Sequence, residues 1–546
     1  MLFNSFQFLF LFFPVSIAVF RGLGSLGARA QQLGLVGISL FFYASWEARF
    51  LLLLIGSILI NYLIGLVIWR CIQQEREGVA SLFLAVGVTA NLLVIGFYKY
   101  AGFFFNNLND LTGTNILISS FILPLGISFF TFEQISFLVD IHHKEIRPAD
   151  LIRYAFFVSF FPRVVAGPIL RFAEISPQLA NVTRTVLAGE DLMVGVTIFV
   201  IGLVKKTVLA DGIAPYGTSV FYSASNGMPV DFFTAWSGVL AYTFQLYFDF
   251  SGYSDMAIGA ARCFGIRFPM NFYSPYQATS IIDFWRRWHI TLSRFLRDYL
   301  YISLGGNRRG ASRRHVNLIV TMLLGGLWHG ANWTFVFWGG LHGVYLIINH
   351  AWLAVSGRSA TIAKLRRSKA GAGLGWVLTF LAVVVAWVFF RSSSLGVAFT
   401  ILKGMIGQNG VTVPAGLGFA LEPVRGFIAM LGISFSDESG SAFVRSYSWI
   451  AVLFAIASLA PNTQQLMRRY NPVLDLPELA RLERDNERGP IGCLTWAPAR
   501  AWAITVGTLA FLGTVSITRI SEFFIGSFDR RQCVRSVISC GSRPQF

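Results

Sequence analysis

Charged residues are scarce in this chain of 546 residues: Asp, Glu, Lys and Arg make up 13% of it, where a soluble domain carries about 25%. A protein facing water on all sides is therefore excluded, and the 55% hydrophobic content with 53 phenylalanines points to lipid. Acidic residues are scarcer still, 27 against 44 Lys and Arg, for a net charge of +17. The basic excess sits in connections between apolar runs, as in cytoplasmic loops facing anionic lipid. No soluble basic face or binding module accompanies it, which excludes a nucleic-acid binder. The five cysteines (Cys71, Cys263, Cys493, Cys533 and Cys540) form no CxxC or Cys/His zinc spacing. Cys533 and Cys540 share a polar tail and either pair, if that tail is extracytoplasmic, or stay as two free thiols. The N-terminus, MLFNSFQFLFLFF, lacks a basic region before its apolar run and a small-residue cleavage site, and reads as a retained first helix.

Apolar runs fill the rest. They begin at 5–20, 33–47 and 51–69, continue through 232–250, 316–330 and 332–350, and end at 447–461 and 501–518. Many are long enough to cross about 30 Å of hydrocarbon, and others are short or broken by Gly and Pro, as in re-entrant or tilted segments. The expected fold is an all-α polytopic integral membrane protein with 10 to 13 membrane-embedded helices. Three regions are expected: N-terminal transmembrane helices over 1–115, a core over 116–350, and C-terminal helices with long loops and a basic tail over 351–546. Residues 1–100 carry almost no intramembrane charge and read as scaffold. Around VRGFIAMLG (424–432) an amphipathic surface helix is expected.

The chemistry concentrates between Ser280 and Gly343. Phe284, Trp288, Leu292, Phe295 and Tyr299 recur at helical spacing, with Arg286, Arg287, Arg294 and Arg297 mainly on the other side, so one amphipathic helix is expected. Ser280 and Asp283 open it as a capping box. The second half, from Val316, is apolar and contains His329 within Gly-Gly-Leu-Trp-His-Gly, where the glycines allow close approach of backbone or ligand. An imidazole in such a span calls for an explanation. It is either a hydrogen-bonded core residue or the general base that deprotonates a hydroxyl or thiol. His289 and His329, 40 positions apart, can converge only from two adjacent helices. His329 and His342, 13 apart, would point about 220° apart on a single helix. No carboxylate stands at metalloprotease spacing from these histidines, so no metal is proposed.

Acidic residues at membrane depth complete the pattern. Glu133 and Asp140 share a helix face and either pair with a base or line a cavity. Asp249, Ser251, Tyr253, Ser254 and Asp255 are packed among aromatics and either hold a helix break together or shape a site. The arginines from 286 to 314 are interfacial positive-inside charges, or in part grips for a phosphate-bearing donor. Candidate catalytic residues are His329 and His289. Candidate substrate contacts are Arg286, Arg287, Arg294, Trp328, Asn332, Asp249 and Tyr253.

The stretches PLGISFFTFEQISFLVD, FFPRVVAGPILR, GLVKKTVLAD, YFDFSGYSDMAIGAARCFGIRFPMNFYSPY, FWRRWHITLSRFLRDYLYISLGGNRRG and LLGGLWHGANWTFVFWGGLHG resemble the membrane-bound O-acyltransferase family, in its alginate O-acetylation branch. The resemblance spans residues 120–345. It implies a helical bundle around a central funnel or tunnel and matches His329 to the family's invariant intramembrane histidine. His289 falls at the second active-site position, typically Asn in the lipid and sterol acyltransferases. The implied activity takes an acetyl group from a cytoplasmic donor, acetyl-CoA, with no bound cofactor. The acetyl group then passes to an extracytoplasmic acceptor or partner acyltransferase for O-acetylation of an exopolysaccharide, in a bacterial inner membrane. Alternatives are peptidoglycan O-acetylation or teichoic-acid D-alanylation by the same chemistry. From other classes come a polymer transporter, which would show internal repeats that are not evident here, and an assembly scaffold in which His329 would be replaceable.

Overall fold

The computed structural model describes residues 1–116, 122–165, 167–185, 189–417, 432–436, 440–474 and 495–518, with a few isolated positions between. The 424–432 segment and the Cys533/Cys540 tail lie outside the described residues, apart from isolated positions in the former. The chain folds as an all-α polytopic membrane protein. Its described strands are Thr412–Pro414 and Ser434–Ser436, paired in parallel. Among the described residues, six helical runs are long and apolar enough to cross a membrane: Phe8–Leu26, Ala28–Gln73, Glu77–Thr112, Gly189–Ser225, Lys369–Arg391 and Ser441–Leu459. The Ala28–Gln73 run comprises two helices, Ala28–Glu47 and Leu51–Gln73, joined by a single tight turn. Outward residues such as Leu52, Phe10 and Leu93 are well over half exposed. A surface of that kind belongs against acyl chains.

The Phe232–Arg262 helix is the centre of the molecule. From Ala241 to Arg262 every residue but Phe250 is buried. Its first half packs in one hydrophobic core with Trp338, Trp387 and Ile401, and its second half in another with Phe8, Phe161 and Phe199. The polar run 249–255, read from sequence as a helix break or a site, breaks nothing. Lys206 pairs with Asp249 at 2.6 Å and Asp211 at 2.9 Å. Lys205 pairs with Asp255 at 2.6 Å, and the Thr463 hydroxyl also donates to Asp255 at 2.6 Å. With its carboxylates compensated from neighbouring segments, the helix keeps its backbone ladder. Gly195 and Gly202 of the Gly189–Val204 helix face Gly252 and Gly259, and a Cβ on any of the four would collide with the opposite backbone. This small-residue seam lets two helices touch main chain to main chain, where dispersion and not hydrophobicity must hold them.

Candidate active site

The expected single amphipathic helix is two helices, Ile281–Arg287 and Ile290–Phe295. Ser280 caps the first, accepting from the Asp283 N–H at 3.2 Å as its spacing predicted. The break is caused by the preceding strand-like segment. The Tyr273 N–H donates to the Arg287 carbonyl at 3.0 Å, and the Ile290 N–H to the Asn271 carbonyl at 2.9 Å. Both backbone groups are thereby taken from the helical ladder, and His289 is left between the helices in the left-handed region at φ +43°. A non-glycine residue held there stores strain that its surroundings must over-determine, a condition typical of functional sites.

The surroundings also set its proton. The Asn271 amide nitrogen donates to Ser254 Oγ at 3.2 Å, and its oxygen accepts from Thr291 Oγ1 at 3.0 Å. That oxygen lies 3.0 Å from His289 Nδ1, so Nδ1 carries the hydrogen and donates. Nε2 then keeps its lone pair, buried and with no partner among the described residues. A buried acceptor without a partner is costly, and it is what a substrate hydroxyl or thiol would satisfy.

His329 ends the Gly310–His329 helix. Its ring packs edge-on to Trp328, Trp338 and Phe390, with centroids 4.8, 5.2 and 5.0 Å away. Protein surrounds it, yet it retains accessible surface, so water-sized molecules reach it. The Trp328 ring lies 6.0 Å from His289 as well. One indole thus touches both histidines, which arrive from different helices as their 40-residue separation requires, and His289 is within electrostatic reach of His329. Phe132 stacks on the other side of Trp328 at 5.5 Å, fixing its plane.

His342 belongs to the same aromatic cluster. The sequence reading placed it facing away from His329 on one helix, but residues 330–332 break the chain and a new helix, Trp333–Arg358, begins. A Cβ on Gly330 would run into the Phe335 ring, so the turn folds that tightly only with glycine. Trp338 contacts both His329 and His342, the latter at 4.8 Å. The Trp285 indole donates to His342 Nδ1 at 3.2 Å.

The other anticipated residues are placed as follows. Arg287 is engaged with Asp283 at 2.8 Å, and Arg294 with Glu174 at 2.6 Å, while Arg286 is exposed. Asn332 caps the Trp333–Arg358 helix through the Thr334 N–H and donates to the Ser393 carbonyl at 3.1 Å. Asp249 pairs with Lys206, and Tyr253 stacks on Phe3 at 4.9 Å. Sequence reasoning missed Asn271, His342 and Lys99. Lys99 lies in the N-terminal region read as scaffold, yet its ammonium donates to the Trp328 carbonyl, one residue before His329. The available signal was a lysine well inside an apolar span.

Two histidines thus meet in one aromatic cluster inside a helical membrane protein. The profile of the membrane-bound O-acyltransferase family matches residues 79–391, and the chain belongs to that family and is an O-acyltransferase. It is 42% identical to a peptidoglycan O-acetyltransferase of Helicobacter pylori, over 76% of this chain and 81% of the relative. It is 45% identical to a probable alginate O-acetylase, AlgI, of Pseudomonas aeruginosa, over 74% of this chain and 75% of the relative. A teichoic acid D-alanyltransferase of Streptococcus thermophilus is 28% identical over 49% of this chain and 68% of its own length.

With the chemistry named, Asn271 gives a direct prediction. Asn271→Leu removes the acceptor that fixes the His289 proton on Nδ1 and is expected to lower acyl transfer roughly 100-fold, the scale of one acid–base contribution. Asn271→Asp keeps an acceptor there and should retain more activity than leucine. Equal activity of the two variants in membranes of matched abundance would overturn the tautomer assignment.

Proposed function

We propose that this chain is the membrane component of an O-acetylation system. It takes acetyl from acetyl-CoA at the cytoplasmic face and delivers it across the membrane, for esterification of an extracytoplasmic polysaccharide of the alginate or other exopolysaccharide type. The observation that carries the reading is His289 Nε2, without a partner among the described residues, on a ring whose Nδ1 is bonded to Asn271 and which shares Trp328 with His329. The relatives named for O-acetylation, similar over about three quarters of this chain, support acetyl as the group, and a bacterial inner membrane is the place this reading gives it. Peptidoglycan is the second acceptor, on the strength of the Helicobacter relative.

In this reading His329 removes the proton from the acceptor hydroxyl as its oxygen attacks the thioester carbonyl. The C–O bond forms, the C–S bond breaks, and the proton leaves with the CoA thiolate as the free thiol. His289 Nε2, an acceptor only, orients the acceptor molecule by taking a hydrogen bond from a neighbouring hydroxyl, the single proton of the reacting hydroxyl being the one that passes to His329. An extracytoplasmic partner receives the acetyl group or presents the polymer. Arg286 and the exposed Arg308, Arg309 and Arg313 are the basic groups that would meet a polyphosphate donor. Inside-out membrane vesicles containing the chain and radiolabelled acetyl-CoA test this. Label should move to lumenal polymer with stoichiometric release of CoA. Label confined to the donor side, while labelled D-alanine from a carrier protein is transferred instead, would overturn it.

A further inference from the structure

We propose that Lys99 is a positioning residue for His329, acting through the main chain of the helix that ends there. The inference rests on the reading of His329 as part of an acyl-transfer centre. The Glu77–Ile95 helix gives way at Gly96–Tyr100 to a wide π turn before Ala101–Thr112 resumes. Such turns re-aim side chains and recur at functional sites. Here the turn sends Lys99 and Tyr100 together toward the end of the Gly310–His329 helix. The Lys99 ammonium donates to the Trp328 carbonyl and, at 3.3 Å, to Ser128 Oγ. It also lies 5.7 Å from the Trp328 ring. The Tyr100 hydroxyl donates to the Leu327 carbonyl at 3.0 Å.

These bonds answer a specific need. The last four carbonyls of a helix have no partner within it, and away from water each costs free energy unless something donates to it. Gly330 is extended at φ −172°, so the helix does not close with the left-handed turn that usually satisfies those carbonyls. Lys99 and Tyr100 donate to two of them, and the ammonium sits at the negative end of the helix dipole. Because His329 is the final helical residue, the pitch of this capped turn decides where its imidazole points. Lys99 is also within electrostatic reach of the His329 ring.

Lys99→Met keeps the length of the side chain without its charge. It is expected to lower kcat for acetyl transfer roughly 10- to 100-fold, the cost of a misplaced catalytic group, with the KM for acetyl-CoA within about twofold. Lys99→Arg should keep more of kcat than Lys99→Met. In Lys99→Ala, added propylammonium should restore part of the loss. A readout independent of transfer is the rate at which diethyl pyrocarbonate modifies His329, followed by mass spectrometry in intact membranes, which should change in Lys99→Met. Wild-type kcat in Lys99→Met, or a loss that tracks folded protein and resists both arginine and amine, overturns the proposal. Unchanged His329 modification overturns it too, even if the acetyl donor is other than CoA. Absence of transfer by the wild-type chain would count against the functional reading alone, with the modification rate still deciding the role of Lys99.

Discussion

His329→Ala should leave a chain of normal membrane abundance and melting temperature whose secreted polymer releases almost no acetate on mild alkaline hydrolysis. The expected loss is roughly 100- to 10,000-fold, the range for removing a general base. Little stability should go with it. The ring of His329 rests on the edges and faces of Trp328, Trp338 and Phe390, while the hydrogen bonds that fix this corner go to the carbonyls of residues 327 and 328 and survive truncation. His289→Ala should cost a similar factor, and the double variant little more than either single one, since groups that act on one proton transfer fail as a unit. Retained acetylation in His329→Ala would exclude it as the base. Multiplicative losses in the double variant would mean that the two histidines serve separate steps.

How much of this was legible before folding depends on which contacts were local. The helices follow from apolar run length, and the choice of His329 from the cost of an imidazole among apolar residues, whereas His289 was singled out by the family resemblance. The amphipathic period of 284–299 was also real, but it ran through a break. Periodicity records which side chains are apolar, whereas the break at His289 is made by backbone groups of residues 271–273, 14 or more positions upstream and silent in the apolar pattern. Asn271 was invisible for the same reason, since it is one polar residue in FPMNFYSPY whose role exists only once Ser254, Thr291 and His289 surround it. Lys99 was legible in principle and was passed over because its neighbours were plain lipid-facing helix. The arginines were open in the sequence between interfacial charges and phosphate grips; in the structure Arg287 and Arg294 are matched by Asp283 and Glu174, and only folding reveals which carboxylates come within reach.

Glu133 was read from the sequence as pairing with a base or lining a cavity. The structure pairs it with Arg163, both side chains at most 2% exposed, and the pair supports the site from behind. The Arg163 guanidinium also donates to the Phe157 carbonyl and lies 5.1 Å from the Phe157 ring. Glu133 accepts from the Leu170 N–H at 3.4 Å. The adjacent Ile169 N–H donates at 3.0 Å to Thr291 Oγ1, the hydroxyl that also binds Asn271. The ion pair is thus linked to His289 through a chain of buried polar contacts. Glu133→Leu strands a guanidinium in a medium that cannot solvate it and is expected to cost roughly 3–5 kcal/mol, read as a lowered midpoint in detergent-solubilised thermal unfolding. Arg163→Met should cost a comparable amount by stranding the carboxylate, although that group can take up a proton and soften the loss. Glu133→Leu with Arg163→Met removes both charges, and this double variant should be more stable than Glu133→Leu alone. If it is instead as unstable as the two losses added together, the charges were not compensating one another. Acyl transfer should fall in Glu133→Leu beyond what folded protein explains, because the Leu170–Ile169 segment would no longer hold Thr291 against Asn271, and should stay low in the double variant, which lacks the same acceptor.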